Sequence, residues 1–540
     1  MITFELDGTE VSVTDDSGSL LDALREQLGC RSPKDGCSPQ GQCGCCTVLV
    51  DGAPRVSCVT PARRVAGRSV TTVDGLDPAL RDRLVEAFVD NGASQCGFCT
   101  PGILVRLAAL ADRRGDPDET AVRSALLAHL CRCTGWHSIV EAACSALGSA
   151  PVPAPAPARD PLLAAWRAAL EGPAFQSSGP PTVLGRGGFA DDTAPPDALV
   201  AVPGSDGSPV VAPTLAEARA RSAKVQGRNS TVALRHPLAV PEGEWALTLR
   251  TTWVEPAYLE PDASWCGPGG RPASALANGG AFGGKRRSAV GPLARRLADE
   301  HGRAVRVLFS REHAVRHGPK RPPIAAGVRA DGSGVLRVAR TEQTFGLDVF
   351  RARVAAVAPG LVVEPVDVAG PPVSSDLRGA GWVEATVLLA VLGARAEGRG
   401  GPDTPIEVTG PSGGRARARV AADGAVRVEV FAGEILDAVT LRSYCLGAVH
   451  QALGWVWSEG IAVDEAGEVH DLTIRSFGIL AARDTPSVEV AMQASDKWPV
   501  NGSDAVFAAT AAAAWLAGGL GQDWPTQRGR RSPPSARSAP

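Results

Sequence analysis

No basic surplus marks this chain: 55 Lys and Arg stand against 58 Asp and Glu, a formal charge of −3. That excludes the electrostatic footprint of a nucleic-acid binder. No apolar stretch is long enough for a membrane span; the best, AVFAATAAAAWLAG at 505–518, is short and alanine-rich. The opening residues MITFELDGTEVSV alternate like a strand and lack the basic, apolar and cleavage regions of a signal peptide. These features predict a cytoplasmic protein with no membrane and no nucleic-acid partner. No G-x-G-x-x-G follows a strand, so a dinucleotide fold is not expected. No fixed-period repeat is present.

Cysteine is what the chain does have, 13 in 540 residues. In the cytoplasm, cysteine favours metal over disulfides. Eight of the thirteen fall into two groups before residue 135. The first is Cys37, Cys43, Cys46 and Cys58, within GCSPQGQCGCCTVLVDGAPRVSC. The second is Cys96, Cys99, Cys131 and Cys133, within QCGFCTPG and CRCTG. Four thiolates around two irons form a [2Fe–2S] ligand set, so two sets predict an electron relay. Zinc and buried structural thiols are the alternatives. In the first group Cys45 is an extra thiol. Placing the ligands at 37, 43, 46 and 58 keeps the x2 spacing and puts Cys46 directly before strand TVLV. Cys30, Cys144, Cys266 and Cys445 are isolated and read as small apolar residues.

A length of 540 residues implies three or four domains. Residues 1–75 read as β-rich, with Asp-Gly hairpin signals at 7–8 and 51–52 and a short helix at SLLDALREQLG. Residues 76–149 read as helical, from apolar residues at three- and four-residue spacing. A Pro/Ala-rich linker at 150–175 follows, with APVPAPAPARDP extended. Residues 176–520 are rich in Gly, Pro, Val and Ala with short strands, and 521–540 is a basic Pro/Ser tail, expected to be disordered.

GCSPQGQCGCCTVLVDG, SQCGFCTPG and LCRCTGW resemble the iron–sulfur subunit of molybdenum hydroxylases, the family of xanthine dehydrogenase and aldehyde oxidase. The resemblance covers residues 1–147. It implies an α+β multidomain protein: a β-grasp ferredoxin-like domain, a four-helix [2Fe–2S] bundle, then a mixed α/β molybdopterin-binding region. It also implies that the helical cluster lies nearer the molybdenum and the other nearer a flavin. Gln95 corresponds to a residue that touches the pterin in relatives.

Residues 176–520 resemble the molybdopterin-binding subunit in abbreviated form, through EPAYLEPDA, NGGAFGGK, LRGAG and the segment 447–490. The implied cofactor contacts are Gly280, Phe282, Gly283 and Arg378. Bare backbone N–H groups at such glycines could approach an anionic ligand, although a plain turn reads equally well. Arg378 could hold a phosphate or sit solvated. The region is about half the family's usual length and lacks two of its glutamine-containing cofactor loops. The family's catalytic glutamate, which follows a glycine, is also missing; the loop reads Val500, Asn501, Gly502, Ser503, Asp504. Asp504 is the nearest carboxylate, either a catalytic base or a cap for the helix starting near Ala505. Where purine-oxidising relatives carry a substrate-binding glutamate, this chain has Arg286, which argues against purines.

Two functions follow. The first is a molybdenum-dependent hydroxylase that oxidises an aldehyde or N-heterocycle, a small-molecule substrate, with water-derived oxygen. Its cofactors would be two [2Fe–2S] clusters and a molybdopterin-type cofactor, with FAD on a partner subunit, or another electron acceptor. The second is an electron-transfer subunit whose C-terminal half is a degenerate scaffold docking a second molybdopterin subunit.

Overall fold

The computed structural model describes residues 1–14, 18–148, 159–172, 174–222, 232–275 and 279–526. The extended part of the expected linker, 150–158, and most of the expected tail, 527–540, lie outside the described residues.

The first module is a five-stranded mixed sheet of β1 (Ile2–Leu6), β2 (Thr9–Val13), β3 (Thr47–Val50), β4 (Ala53–Val56) and β5 (Ser69–Thr71), in the order β2-β1-β5-β3-β4. Both Asp-Gly pairs make the tight turns their chemistry favours. Asp7 and Gly8 have φ of 50° and 83°, and Asp51 and Gly52 have 49° and 74°, as a two-residue hairpin with matching twist requires. Phe4, Val48, Val50 and Val70 pack against Leu20 and Leu24. Leu20 opens the short helix α1 (Leu20–Asp22), which widens into a π-turn over Ala23–Gln27.

Four helices follow: α2 (Pro78–Asp90), α3 (Thr100–Arg113), α4 (Glu119–Ala125) and α5 (His137–Leu147). Asp77 caps α2 by accepting from Leu80 N at 2.9 Å, and Asp118 caps α4 through Ala121 N at 2.7 Å. Trp136, fully buried at the start of α5, donates its indole N–H to the Leu480 carbonyl at 3.1 Å.

Within the segment expected to be a linker, Pro161–Glu171 form helix α6. The Asp160 carboxylate accepts from Leu162 N at 2.8 Å, and Pro161 occupies a first-turn position where its missing N–H costs nothing. Local capping chemistry therefore outweighs the Pro/Ala composition.

Beyond α6 lie three sheets of four, five and four strands. One joins Leu199–Pro203, Pro209–Ala212, Ala263–Cys266 and Val305–Leu308; a second joins Leu247–Thr251, Ile324–Val328, Gly334–Arg340, Leu361–Asp367 and Asp523–Trp524. The third joins Ile406–Thr409, Arg415–Val420, Val426–Phe431 and Val488–Gln493. The helices Trp382–Ala396, Ala438–Trp457 and Ser503–Ala517 share the largest core with the second and third sheets. Among the described residues, no helix is long and apolar enough to cross a membrane.

The two halves meet without a gap. A Cβ added at Gly447, in the helix Ala438–Trp457, would lie 1.8 Å from the Cys133 carbonyl oxygen. Only glycine permits that approach. Gly447→Ala should therefore force the helix off the bundle and destabilise the fold by about 1–3 kcal/mol. A lowered thermal midpoint checks this; an unchanged one contradicts it.

Candidate metal centre and adjoining cavity

Loop geometry brings each cysteine group together. In the first, all four side chains are buried. The thiols touch in the chain Cys43–Cys37–Cys58–Cys46. Backbone N–H groups of Gln40 and Gln42 point at Cys37 Sγ from 3.2 and 3.5 Å, and that of Cys58 at Cys46 Sγ from 3.5 Å. Such donors offset negative charge on sulfur.

The second group is likewise buried. Its thiols touch in the chain Cys96–Cys133–Cys131–Cys99, with 3.7 Å between the sulfurs of Cys96 and Cys133. The Thr134 hydroxyl lies 3.2 Å from Cys131 Sγ. Contacts with the thiols of Cys43 and Cys58 hold Cys37 well below the usual thiol range, and those of Cys133 and Cys99 do the same for Cys131.

Among the described residues, no three His, Cys, Asp or Glu side chains converge as a single metal ion needs. A tetrahedral zinc would draw four thiolates to one point. Open chains of four thiols suit two bridged irons with two ligands each. The cysteines therefore fit [2Fe–2S] groups.

The second quartet adjoins a cavity of about 50 Å³, lined among others by Arg132, Gly280, Phe282, Arg378, Gln451 and Phe507. A Cβ at Gly280 would lie 3.1 Å from Cys133 Sγ. Gly283, at φ +96°, would place a Cβ 1.9 Å from the Asp376 carbonyl oxygen, so a close backbone approach by itself demands glycine there. Arg378 stacks over Phe282 at 4.5 Å. Its guanidinium donates to Asp504 Oδ1 at 2.9 Å, Gln451 Oε1 at 3.0 Å and Ser503 Oγ at 2.8 Å. Arg132 makes a two-pronged ion pair with Glu459, one bond being 2.8 Å.

Gln95 donates to the Cys133 carbonyl at 3.0 Å and to Ser443 Oγ at 3.1 Å. Its Oε1 is buried and has no partner among the described residues, and the same holds for the Tyr444 hydroxyl. Both residues line a second cavity of about 30 Å³. The orphaned Gln95 oxygen fits a bound ligand, whereas Arg132 and Arg378, which line the first cavity, are already paired with carboxylates.

Asp504 sits in the first turn of Ser503–Ala517 and does not cap it. Its carboxylate is spent on Arg378 and stays about one-third exposed (34%). The carboxylate at this helix start is Glu171, which the sequence reading missed. It accepts from Gly502 N at 3.1 Å and Ser503 N at 2.7 Å and pairs with Arg167 at 3.0 Å. Burial pushes its carboxyl above the usual range. Arg286, the residue expected to argue against purines, is exposed.

Residues 72–144 match the family model described as a [2Fe-2S] binding domain. Over 140 residues the chain is 39% identical to the nicotinate dehydrogenase small FeS subunit of Eubacterium barkeri, covering 26% of this chain and 88% of that one. It is 42% identical over 142 residues to the aldehyde oxidoreductase of Megalodesulfovibrio gigas, covering 25% of this chain but only 16% of that protein. The whole fold resembles the crystal structure of the aldehyde oxidoreductase from Desulfovibrio desulfuricans. That match has a TM-score of 0.67 at 16% identity and covers 95% of this chain and 97% of the other.

Arg167 and Glu171 are both fully buried. Arg167→Ala would strand the carboxylate, and losing one partner of such a pair costs about 3–5 kcal/mol. Chemical denaturation of the variant should show a loss of that size, whereas a loss under about 1 kcal/mol would place the pair in the class of exposed bridges.

Proposed function

We propose a function for a chain that belongs to the xanthine dehydrogenase/aldehyde oxidoreductase family of molybdenum hydroxylases: it relays electrons away from the oxidation of an aldehyde or N-heterocycle. The prosthetic groups implied by that family are two [2Fe–2S] clusters and a molybdenum cofactor. The observation that carries the reading is the pair of buried thiol chains. Cys37, Cys43, Cys46 and Cys58 hold one cluster, and Cys96, Cys99, Cys131 and Cys133 hold the other. Each cluster, when bound, takes up and releases single electrons.

Their order follows from their surroundings. The family resemblance implies that the helical quartet lies nearer the molybdenum, so it receives electrons. Val59, next to Cys58, is 57% exposed, so the first quartet hands them on. The acceptor is a flavin on a partner subunit or another carrier. Backbone N–H groups of residues 40, 42 and 58 steady the added negative charge.

We assign the molybdenum cofactor to a partner chain. Arg378 and Arg132 are neutralised from within, and Asp504 is occupied by Arg378. The second reading keeps the cofactor here, held by Gln95, Gly280, Phe282, Gly283 and Arg378, with Asp504 as base. The unpartnered Gln95 oxygen favours it.

Metal analysis separates the two. Produced alone in a host that loads a control molybdenum enzyme, the chain should carry about four irons, from two [2Fe–2S] sets, and no molybdenum. Molybdenum near one per chain would overturn the relay reading. In that case Asp504→Asn should abolish turnover at unchanged metal content. The complete complex should turn over xanthine poorly, because an exposed arginine occupies position 286; efficient urate production would contradict that.

A further inference from the structure

A ninth thiol lies between the two quartets. Cys45 is fully buried and touches the Cys43 thiol at the end of the first chain. A Cβ built on Gly36 would lie 3.0 Å from Cys43 Sγ, 3.2 Å from Cys45 Sγ and 3.2 Å from the Phe98 ring. The two sulfurs therefore share one small pocket beneath Gly36, where an added methyl would crowd both. Cys45 interacts electrostatically with Cys37 and Cys46 on one side and with Cys131 and Cys99 on the other. Its backbone is fixed too: the Lys34 N–H donates to the Cys45 carbonyl at 3.2 Å, and a Cβ at Gly102, in α3, would come within 2.9 Å of that oxygen.

A buried S–H must point somewhere. The Cys43 carbonyl, which also accepts from Leu130 N at 3.0 Å, is a long, weak acceptor at 3.9 Å. The Cys43 sulfur, in contact with Cys45, is negative once it binds iron and is then the stronger acceptor.

We infer that Cys45 is a tuning residue of the relay, its S–H donating to the Cys43 sulfur and raising the reduction potential of the surface cluster. The inference rests on the ligand assignment above. Its physics is simple. One-electron reduction adds negative charge to the cluster sulfurs, and a hydrogen bond to a ligand sulfur stabilises that charge and so favours the reduced form. Nothing is transferred or consumed; the S–H bond stays intact.

The test is an EPR-monitored redox titration of the full chain and of two variants, with iron counted in each. The two cluster signals are assigned by which one Cys37→Ser and Cys133→Ser disturb. In Cys45→Ala, the midpoint of the surface cluster should fall while the other cluster's midpoint and the iron content hold. Cys45→Ser keeps a donor and should hold the midpoint at or above that of the unaltered chain. Unchanged midpoints in Cys45→Ala would overturn the inference. So would loss of about two irons, which would make Cys45 a ligand. An unaltered chain with no cluster signal would overturn the ligand assignment itself, and this inference with it.

Discussion

A buried ion pair decides how the two halves of this molecule sit together. Arg132 stands between Cys131 and Cys133, and its guanidinium reaches Glu459 at the end of the helix Ala438–Trp457; both residues are almost fully buried. The same guanidinium donates to the Pro256 carbonyl at 3.0 Å, and the Arg132 carbonyl accepts from Gln451 at 3.2 Å. One residue thus ties a cysteine loop, a cavity wall and a central helix. Charges taken out of water are tolerated only when partner and geometry are both supplied. The bundle cannot drift from the C-terminal half without exposing one uncompensated charge on each side.

The same economy of charge runs in and around the cavity. Arg378 answers Asp504, Arg321 answers Glu384 at 2.8 Å, Lys285 answers Glu260 at 2.7 Å, and Arg167 answers Glu171. Each of these cations has an internal carboxylate as its partner. Glu171 goes further, occupying the N–H groups at a helix start, where negative charge is favoured. The fold shared with aldehyde oxidoreductase is therefore kept by a set of internal counter-ions as well as by apolar packing.

What the residues alone disclosed divides along a physical line. The two cysteine groups were readable because their spacing is local: Cys43 and Cys46, or Cys96 and Cys99, sit on one short loop. The Asp-Gly hairpins were readable for the same reason. Glu171 was not, because its partners Gly502 and Ser503 lie more than 300 residues onward and no local pattern marks a helix that caps another. Helix α6 left a local trace, Asp160 followed by Pro161 and an apolar face, which the surrounding Pro/Ala composition masked. Gly283 shows a third case. Its type suggested ligand binding or a turn, whereas the structure shows a carbonyl pressed against its Cα. Asp504 looked like a base or a cap; the structure pairs it with Arg378 and shows that it does not cap its helix.

The surroundings of the two quartets have a consequence for loss. The helical quartet lies where Gly447 and Arg132 join the halves, while the first comes near solvent at Val59. Dioxygen dissolves in water and takes single electrons from whatever metal centre it can reach. The exposed side chain over the first quartet offers that leak a doorway. Whatever docks over Val59 would then do two jobs: it collects the current, and it closes the aperture through which superoxide would form.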